Sequence, residues 1–299
     1  MALEQFDLTS YDLVISSESG PAKGVVTSAE TLHICYCHSP MRYLWDYYAQ
    51  YRASVGPLTR ALMVPLFHYL RMWDVLTANR VDAFAANSHN VRRRIAKHYR
   101  RRAVVIYPPV RTAAFRLDAV VEDFYLFVGE LVAYKRVDLA VEAFRESGRR
   151  LIVVGDGPEF RRLARRAPRN VEFLGRQPDD VRAQLMARCR AFVFPGQEDF
   201  GIAPVEAMAA GRPVVAYGRG GALESVVDGT TGVLFRAPTV EAFNAAILQL
   251  DRVEARWDAE AARRHAEKFD EAVFRERMMA FIERKLEKWH RRPSRVARD

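Results

Sequence analysis

The sequence has little cysteine: three residues in 299, Cys35, Cys37 and Cys189. Three cysteines build neither a disulfide framework nor a zinc ligand set. They suit a reducing compartment, so a cytoplasmic chain is expected. No apolar run approaches the length of a membrane span. Ala61-Leu62-Met63-Val64-Pro65-Leu66-Phe67 is short and holds a proline. The stretch from Met1 to Asp7 lacks the basic-then-apolar pattern of a leader, so none is expected. No self-similarity recurs at a solenoid period. The arginines are not interleaved with aromatics as in nucleic-acid modules, so no nucleic-acid partner is expected. No cluster of metal-ligand residues stands out.

Hydrophobic content of 49% and charged content of 28% match a soluble globular protein. The length suits one large or two ordinary domains. The net charge is +9, and it is gathered in clusters. One is Arg92-Arg93-Arg94 with Lys97 and Arg100-Arg101-Arg102. A second is Arg161, Arg162, Arg165, Arg166 and Arg169. The third runs from Arg284 to Arg298. Such patches attract phosphates, nucleic acid or anionic lipid. Solvated helix faces are the plainer alternative.

Strands and helices alternate along the chain, which implies parallel sheets. Strand-like segments lie at Tyr11 to Ser16, Thr31 to His38, Asp82 to Asn87 and Val104 to Tyr107. Helical pattern follows Met41. A longer helix from Leu58 to Asn79 carries Leu62, Leu66, Tyr69, Leu70 and Trp73 on one stripe, with a bend expected at Pro65. Ser88 is placed to cap a basic helix. Pro108 to Asp123 has the composition of a linker. A second alternation then runs to Phe269, with strands at Tyr125, Leu151, Val171, Ala191 and Pro213. A long charged helix, Asp270 to Trp289, and a frayed basic tail close the chain. With about four strands, the first half is short by two or three βα units of roughly 20–30 residues each. It is either a reduced domain or one lacking its natural beginning.

The glycine-marked ends of the second set of strands carry the chemistry. Ligands bind beyond the carboxyl ends of such strands. Phe194-Pro195-Gly196-Gln197-Glu198-Asp199-Phe200-Gly201-Ile202 leads into a helix read as opening at Pro204. Backbone N–H groups from Phe200 to Val205 then face an anion site. Glu198 and Glu206 bracket it. Carboxylates there suit hydroxyls, as on a sugar, although each alone is also ordinary in a first turn or a solvated loop. Lys135 and Arg136 are read as opening another helix, where the macrodipole disfavours cations, and that suits a diphosphate. A solvated basic turn is the alternative. Gly155-Asp156-Gly157-Pro158 opens a helix without the third glycine of a dinucleotide fingerprint. Gly218-Arg219-Gly220-Gly221 is another such turn. Together these turns point to a nucleoside diphosphate bearing a polyol. His38 ends a strand in the first half, where a structural role is the alternative. Cys35 and Cys37 share one strand face, which suits packing. Trp45, Tyr47, Tyr48 and Tyr51 suit the core, an acceptor groove or a membrane surface.

These motifs resemble the retaining glycosyltransferases of family 4. The resemblance rests on the spacing of Glu198 and Glu206, on VGELVAYKRVDLAVEAF, VVGDGPE and GRPVVAYGRGGALESVVDGTTGVLF, and on LHICYCHSPMRYLWD and ANSHNVRRRI. The last two resemble the O-antigen and capsule mannosyltransferases. The resemblance implies an α/β GT-B fold: two Rossmann-like doubly wound domains facing a cleft, the first one truncated. Residues 1–110 would form the acceptor-side domain and residues 111–269 the donor-binding domain. Residues 270–299 would be a helix packing back on the first domain, with a basic tail. His38, Lys135 and Glu198 would be the catalytic residues. Lys135 would neutralise the leaving diphosphate, with His38 beside the reacting centre. Glu198, with backbone from Phe200, Gly201 and Ile202, would hold the donor sugar, and Glu206 would hold the ribose. Gly155 and Gly157 would border the donor. The family's usual arginine position is Glu130 here, so Arg136 is the candidate second cation.

The implied activity is transfer of mannose from GDP-mannose to a lipid-linked saccharide in cell-surface polysaccharide synthesis. No cofactor or metal is expected. The basic patches would meet an anionic membrane at the inner face of the plasma membrane. Two alternatives stay open, a non-catalytic nucleotide-sugar-binding remnant and a nucleotide-sugar 2-epimerase of the same fold.

Overall fold

A computed structural model of the chain describes residues 2–53, 55–118, 120–253 and 256–292. The basic tail beyond residue 292 lies outside them. The chain divides into two units, Met1–Tyr107 with Arg275–Asp299, and Pro108–Phe274.

The first unit carries strands β1 (Leu13–Glu18), β2 (Leu32–Cys37), β3 (Ala83–Ala86) and β4 (Ala103–Val105), and helices α1 (Tyr48–Ala53), α2 (Pro57–Ala78) and α3 (His89–Tyr99). The sheet is parallel in the order β1-β2-β3-β4. Its strand order therefore runs in one direction without reversing. The central β2 and β3 are buried throughout, as their apolar sequences require, whereas the edges β1 and β4 are only partly covered. Cys35 and Cys37 are fully buried and pack with Phe84, Val91 and Ile95. Burial pushes the Cys35 thiol up, so it is a packing residue. Ser88 accepts from the Val91 N–H at 3.0 Å and caps α3.

The face that α2 turns to the core differs from the expected stripe. Leu62, Leu66 and Tyr69 are exposed, and Leu70 and Trp73 are half-buried. The inward face carries Met63, Asp74 and Thr77 instead. Asp74 faces the core because it belongs to a buried polar cluster. It accepts from Lys23 Nζ at 2.5 Å, Trp45 Nε1 at 2.8 Å and the Tyr99 hydroxyl at 3.1 Å. Glu18 lies 3.4 Å from Lys23 on its other side. Burial opposes the charge on Lys23, but the two carboxylates outweigh it and raise its pKa. The helix runs through Pro65 without interruption. Trp45 also stacks on His98, and the Arg71 guanidinium lies over Tyr48.

The second unit carries β5 (Tyr125–Val128), α4 (Val137–Ser147), β6 (Leu151–Val154), α5 (Phe160–Arg166), β7 (Val171–Gly175), α6 (Asp179–Arg188), β8 (Ala191–Phe194), α7 (Ile202–Ala209), β9 (Val214–Tyr217), α8 (Ala222–Ser225), β10 (Gly232–Phe235), α9 (Val240–Val253) and α10 (Ala259–Ala266). The parallel sheet runs β7-β6-β5-β8-β9-β10. This is the doubly wound dinucleotide-fold order, and it reverses between β5 and β8. Phe144, Val153, Val193 and Phe243 lie in its core.

The stretch with a linker's composition is fastened to this unit. The Val110 N–H donates to the Phe269 carbonyl, and Phe115 is buried. The last helix, α11 (Glu271–His290), begins in the second unit and belongs to the first from Arg275 onward. Trp289 donates from its indole N–H to the Glu30 carbonyl.

Candidate active site

The strand order reverses between β5 and β8, the place at which sheets of this kind bind ligands, and the loops leaving these two strands meet there. Lys135 lies in the first loop and Glu198 in the second. Lys135 Nζ stands 3.2 Å from Glu198 Oε1, and both side chains are largely shielded from solvent. Sixty-three positions apart in the chain, the two candidates form one ion pair.

Backbone packing holds the loops together. A Cβ on Gly196 would come within 2.5 Å of the Lys135 Cα. One on Gly155, after β6, would overlap the carbonyl oxygen of Gly129, after β5. The Leu131 N–H donates to the Asp156 carbonyl, and the Gly221 N–H donates to the Glu198 carbonyl at 2.9 Å. The glycines after β6, β8 and β9 thus let the loops touch one another. Gly155 and Gly157, expected to border the donor, pack against loop backbone, at Gly129 and Leu131 respectively.

Helix α7 starts at Ile202, two residues before the expected Pro204. The proline fits the first turn, where N–H groups lack helical partners in any case. Gly201 precedes the helix with φ of 87°, a conformation that favours glycine. Ile202 is half-exposed at the first helical position, whereas the Phe200 ring is buried against Phe269. Glu206 lies one turn further in and is nearly buried. Its Oε1 is 3.6 Å from an Arg182 guanidinium nitrogen of α6. Burial raises its pKa above the ordinary 4.5, and Arg182 opposes the rise.

The two cations expected together at the start of α4 part company. The helix begins at Val137, after a short 3-10 turn that contains Lys135. Arg136 takes a left-handed conformation (φ 52°), and its Nε donates to Asp138 at 3.1 Å. Lys135 joins the carboxylate of the β8 loop, and Arg136 is drawn to its own helix.

His38 lies in the first unit at the end of β2. Its N–H donates to the Glu18 carbonyl at 2.7 Å, and its Nε2 shares a hydrogen bond of 2.9 Å with Ser17 Oγ. Partial burial lowers its pKa, which favours the neutral ring. Two partners were missed in the sequence, Arg182 for Glu206 and Ser17 for His38. Each acts across separate elements, and no local spacing announces such a contact. Among the described residues no group of three or more His, Cys, Asp or Glu is arranged to hold a metal ion.

The family described as glycosyl transferases group 1 matches residues 116–268, essentially the whole unit that carries these loops. An uncharacterised glycosyltransferase of Methanocaldococcus jannaschii is 30% identical over 174 residues, 56% of this chain and 49% of the relative. An alpha-1,3/1,6-mannosyltransferase of Dictyostelium discoideum is 26% identical over 294 residues, covering 80% of this chain and 66% of the relative. The chain therefore spans about half to two thirds of these relatives. Among solved structures, a sucrose-phosphate synthase of Thermosynechococcus elongatus superposes with a TM-score of 0.77 at 18% identity, over 93% of this chain and 74% of that one.

Proposed function

The chain belongs to the group 1 glycosyl transferases and has the GT-B fold, and from that premise we propose that it transfers mannose from GDP-mannose to a lipid-linked saccharide. The observation that carries this reading is the Lys135–Glu198 pair at the strand-order reversal. It sets a cation for a diphosphate beside a carboxylate for sugar hydroxyls. Glu206, deeper in α7, suits the ribose hydroxyls. The N–H groups opening α7, which have no partners within the helix, add positive potential. Mannose is favoured by the mannosyltransferase relative and by the motifs around His38.

In the proposed reaction the acceptor hydroxyl attacks the anomeric carbon on the face the diphosphate leaves, so configuration is retained. The bond from that carbon to the phosphate oxygen breaks as the bond to the acceptor oxygen forms. The departing phosphate takes the hydroxyl proton. Lys135 stabilises the negative charge growing on the diphosphate, and neutral His38 serves the sugar side of the reacting centre. The two glutamates hold different parts of one donor, so they do not form a glycosidase acid–nucleophile pair. No cofactor or metal enters the proposal. The acceptor would be met at the inner face of the plasma membrane, to which the basic clusters suit the protein.

Calorimetry with GDP-mannose, UDP-glucose and UDP-N-acetylglucosamine tests the donor assignment. GDP-mannose should bind most tightly, and Glu206→Ala should abolish the heat. Equal heats for all three would remove the support for mannose. In a transfer assay Lys135→Ala should lose roughly 100-fold or more in turnover, the scale seen when one transition-state charge contact is removed. Wild-type turnover would refute the site.

A further inference from the structure

Helix α2 turns its apolar side outward. Leu58, Leu62, Leu66, Tyr69, Met72 and Leu76 recur every three or four residues along one face, and all are exposed; Leu58 is 75% exposed and Leu76 64%. The stripe runs for five turns, roughly 27 Å at the usual helical rise. It holds no charge. The one acid of the helix, Asp74, is buried against Lys23. Soluble proteins rarely leave so continuous an apolar face open unless something docks on it.

Charge identifies the occupant. The first unit holds 22 lysines and arginines against 12 acidic residues, and the second 24 against 25. The chain's net +9 therefore lies wholly in the unit that carries the stripe. Two such units would repel each other, which disfavours a second copy. Pro65 also falls in the middle of the seam a coiled coil would use. An anionic bilayer attracts the basic unit and accepts the leucines. Tyr43 and Tyr51, both exposed and 6.4 Å apart, adjoin α2 through the Tyr43–Phe67 ring contact at 6.2 Å. Tyrosines of this kind suit the headgroup level. Among the described residues no helix is long and apolar enough to cross a membrane, so the arrangement is that of a helix lying in the interface.

We propose that the outward face of α2 is a membrane-docking surface for anionic lipid, inserting Leu58, Leu62, Leu66 and Leu76 at the acyl boundary while the basic first unit holds the headgroups. This rests on the proposed function only in giving a reason to meet a lipid-linked acceptor; the docking itself needs neither donor nor acceptor.

The test is co-sedimentation of the full chain with vesicles of phosphatidylethanolamine and phosphatidylglycerol, beside pure phosphatidylcholine. Wild type should bind the anionic vesicles preferentially, and added salt should weaken binding. The double variant Leu62→Glu/Leu66→Glu should lose at least about tenfold in binding, since burying each leucine is worth more than one tenfold step. Its GDP-mannose binding by calorimetry should match wild type, because neither leucine lies in the donor loops. Undiminished vesicle binding by the variant, equal binding to phosphatidylcholine, or a wild-type dimer abolished by the same substitutions would each overturn the proposal. A chain that binds vesicles through α2 but no nucleotide sugar would leave docking standing and refute the donor reading.

Discussion

Glu206 shows how one residue can be named from sequence while its environment cannot. Its place in the first part of a helix after a glycine-rich loop was legible, as was its spacing from Glu198. Its near-burial and its contact with Arg182 were not, because α6 and α7 meet only through the fold. Burial raises its pKa above 4.5, so the folded chain keeps the proton to higher pH than the unfolded chain. The stability from this group is thus fully present below pH 4.5 and is lost as pH rises through the folded value. Under the proposed function donor binding would have the opposite sense, since accepting from ribose hydroxyls would use the ionised carboxylate. Affinity should fall as pH drops through the raised pKa. Arg182→Ala removes the opposing cation, so the midpoint of that fall should move to higher pH. A calorimetric pH series on both proteins checks this, and an unmoved midpoint would exclude Arg182 as the group that holds Glu206 ionised.

Among the elements, apolar four-residue strands such as Leu151–Val154 and Ala191–Phe194 are unambiguous in sequence and are buried throughout. Helix starts were less so. Both α4 and α7 begin two residues from the expected position, because a 3-10 turn and a first-turn proline read alike in sequence. The stripe on α2 misled for another reason: the apolar-inside rule fails where a buried ion cluster occupies the inner face. Loop packing could not be read from sequence, although every glycine that permits it could. Gly196→Ala should force the β5 and β8 loops apart, since its Cβ would lie 2.5 Å from the Lys135 Cα. The expected cost is about 1–3 kcal/mol. That is a fall of roughly 2–4 °C in melting temperature per kcal/mol for the second unit. Donor affinity should drop with it. Unchanged melting and affinity would show that the loops are not held as described.

At the scale of the whole molecule, two parallel sheets were legible from alternation alone, and so was the low strand count of the first. The uneven charge is written in the sequence but becomes meaningful only once the units are known. The Glu18–Lys23–Asp74 cluster belongs to the first unit, so its loss should act there. Lys23→Met leaves two buried carboxylates without a cation, at an expected cost of about 3–5 kcal/mol. Scanning calorimetry should show the first unit's transition lowered, with the GDP-mannose-dependent transition in place. Loss of donor binding in that variant would mean that the units do not hold their structure separately.

The Lys135–Glu198 pair also bears on how the protein lets go. In the structure the lysine already has a counter-ion. Under the proposed function an arriving diphosphate would displace it, and the spent nucleotide would have to compete with its return. Product escape would thereby be hastened at the expense of grip. Glu198→Gln should accordingly retain GDP with a slower off-rate in stopped-flow displacement while transferring less sugar, turning a site built for turnover into one inhibited by its own product.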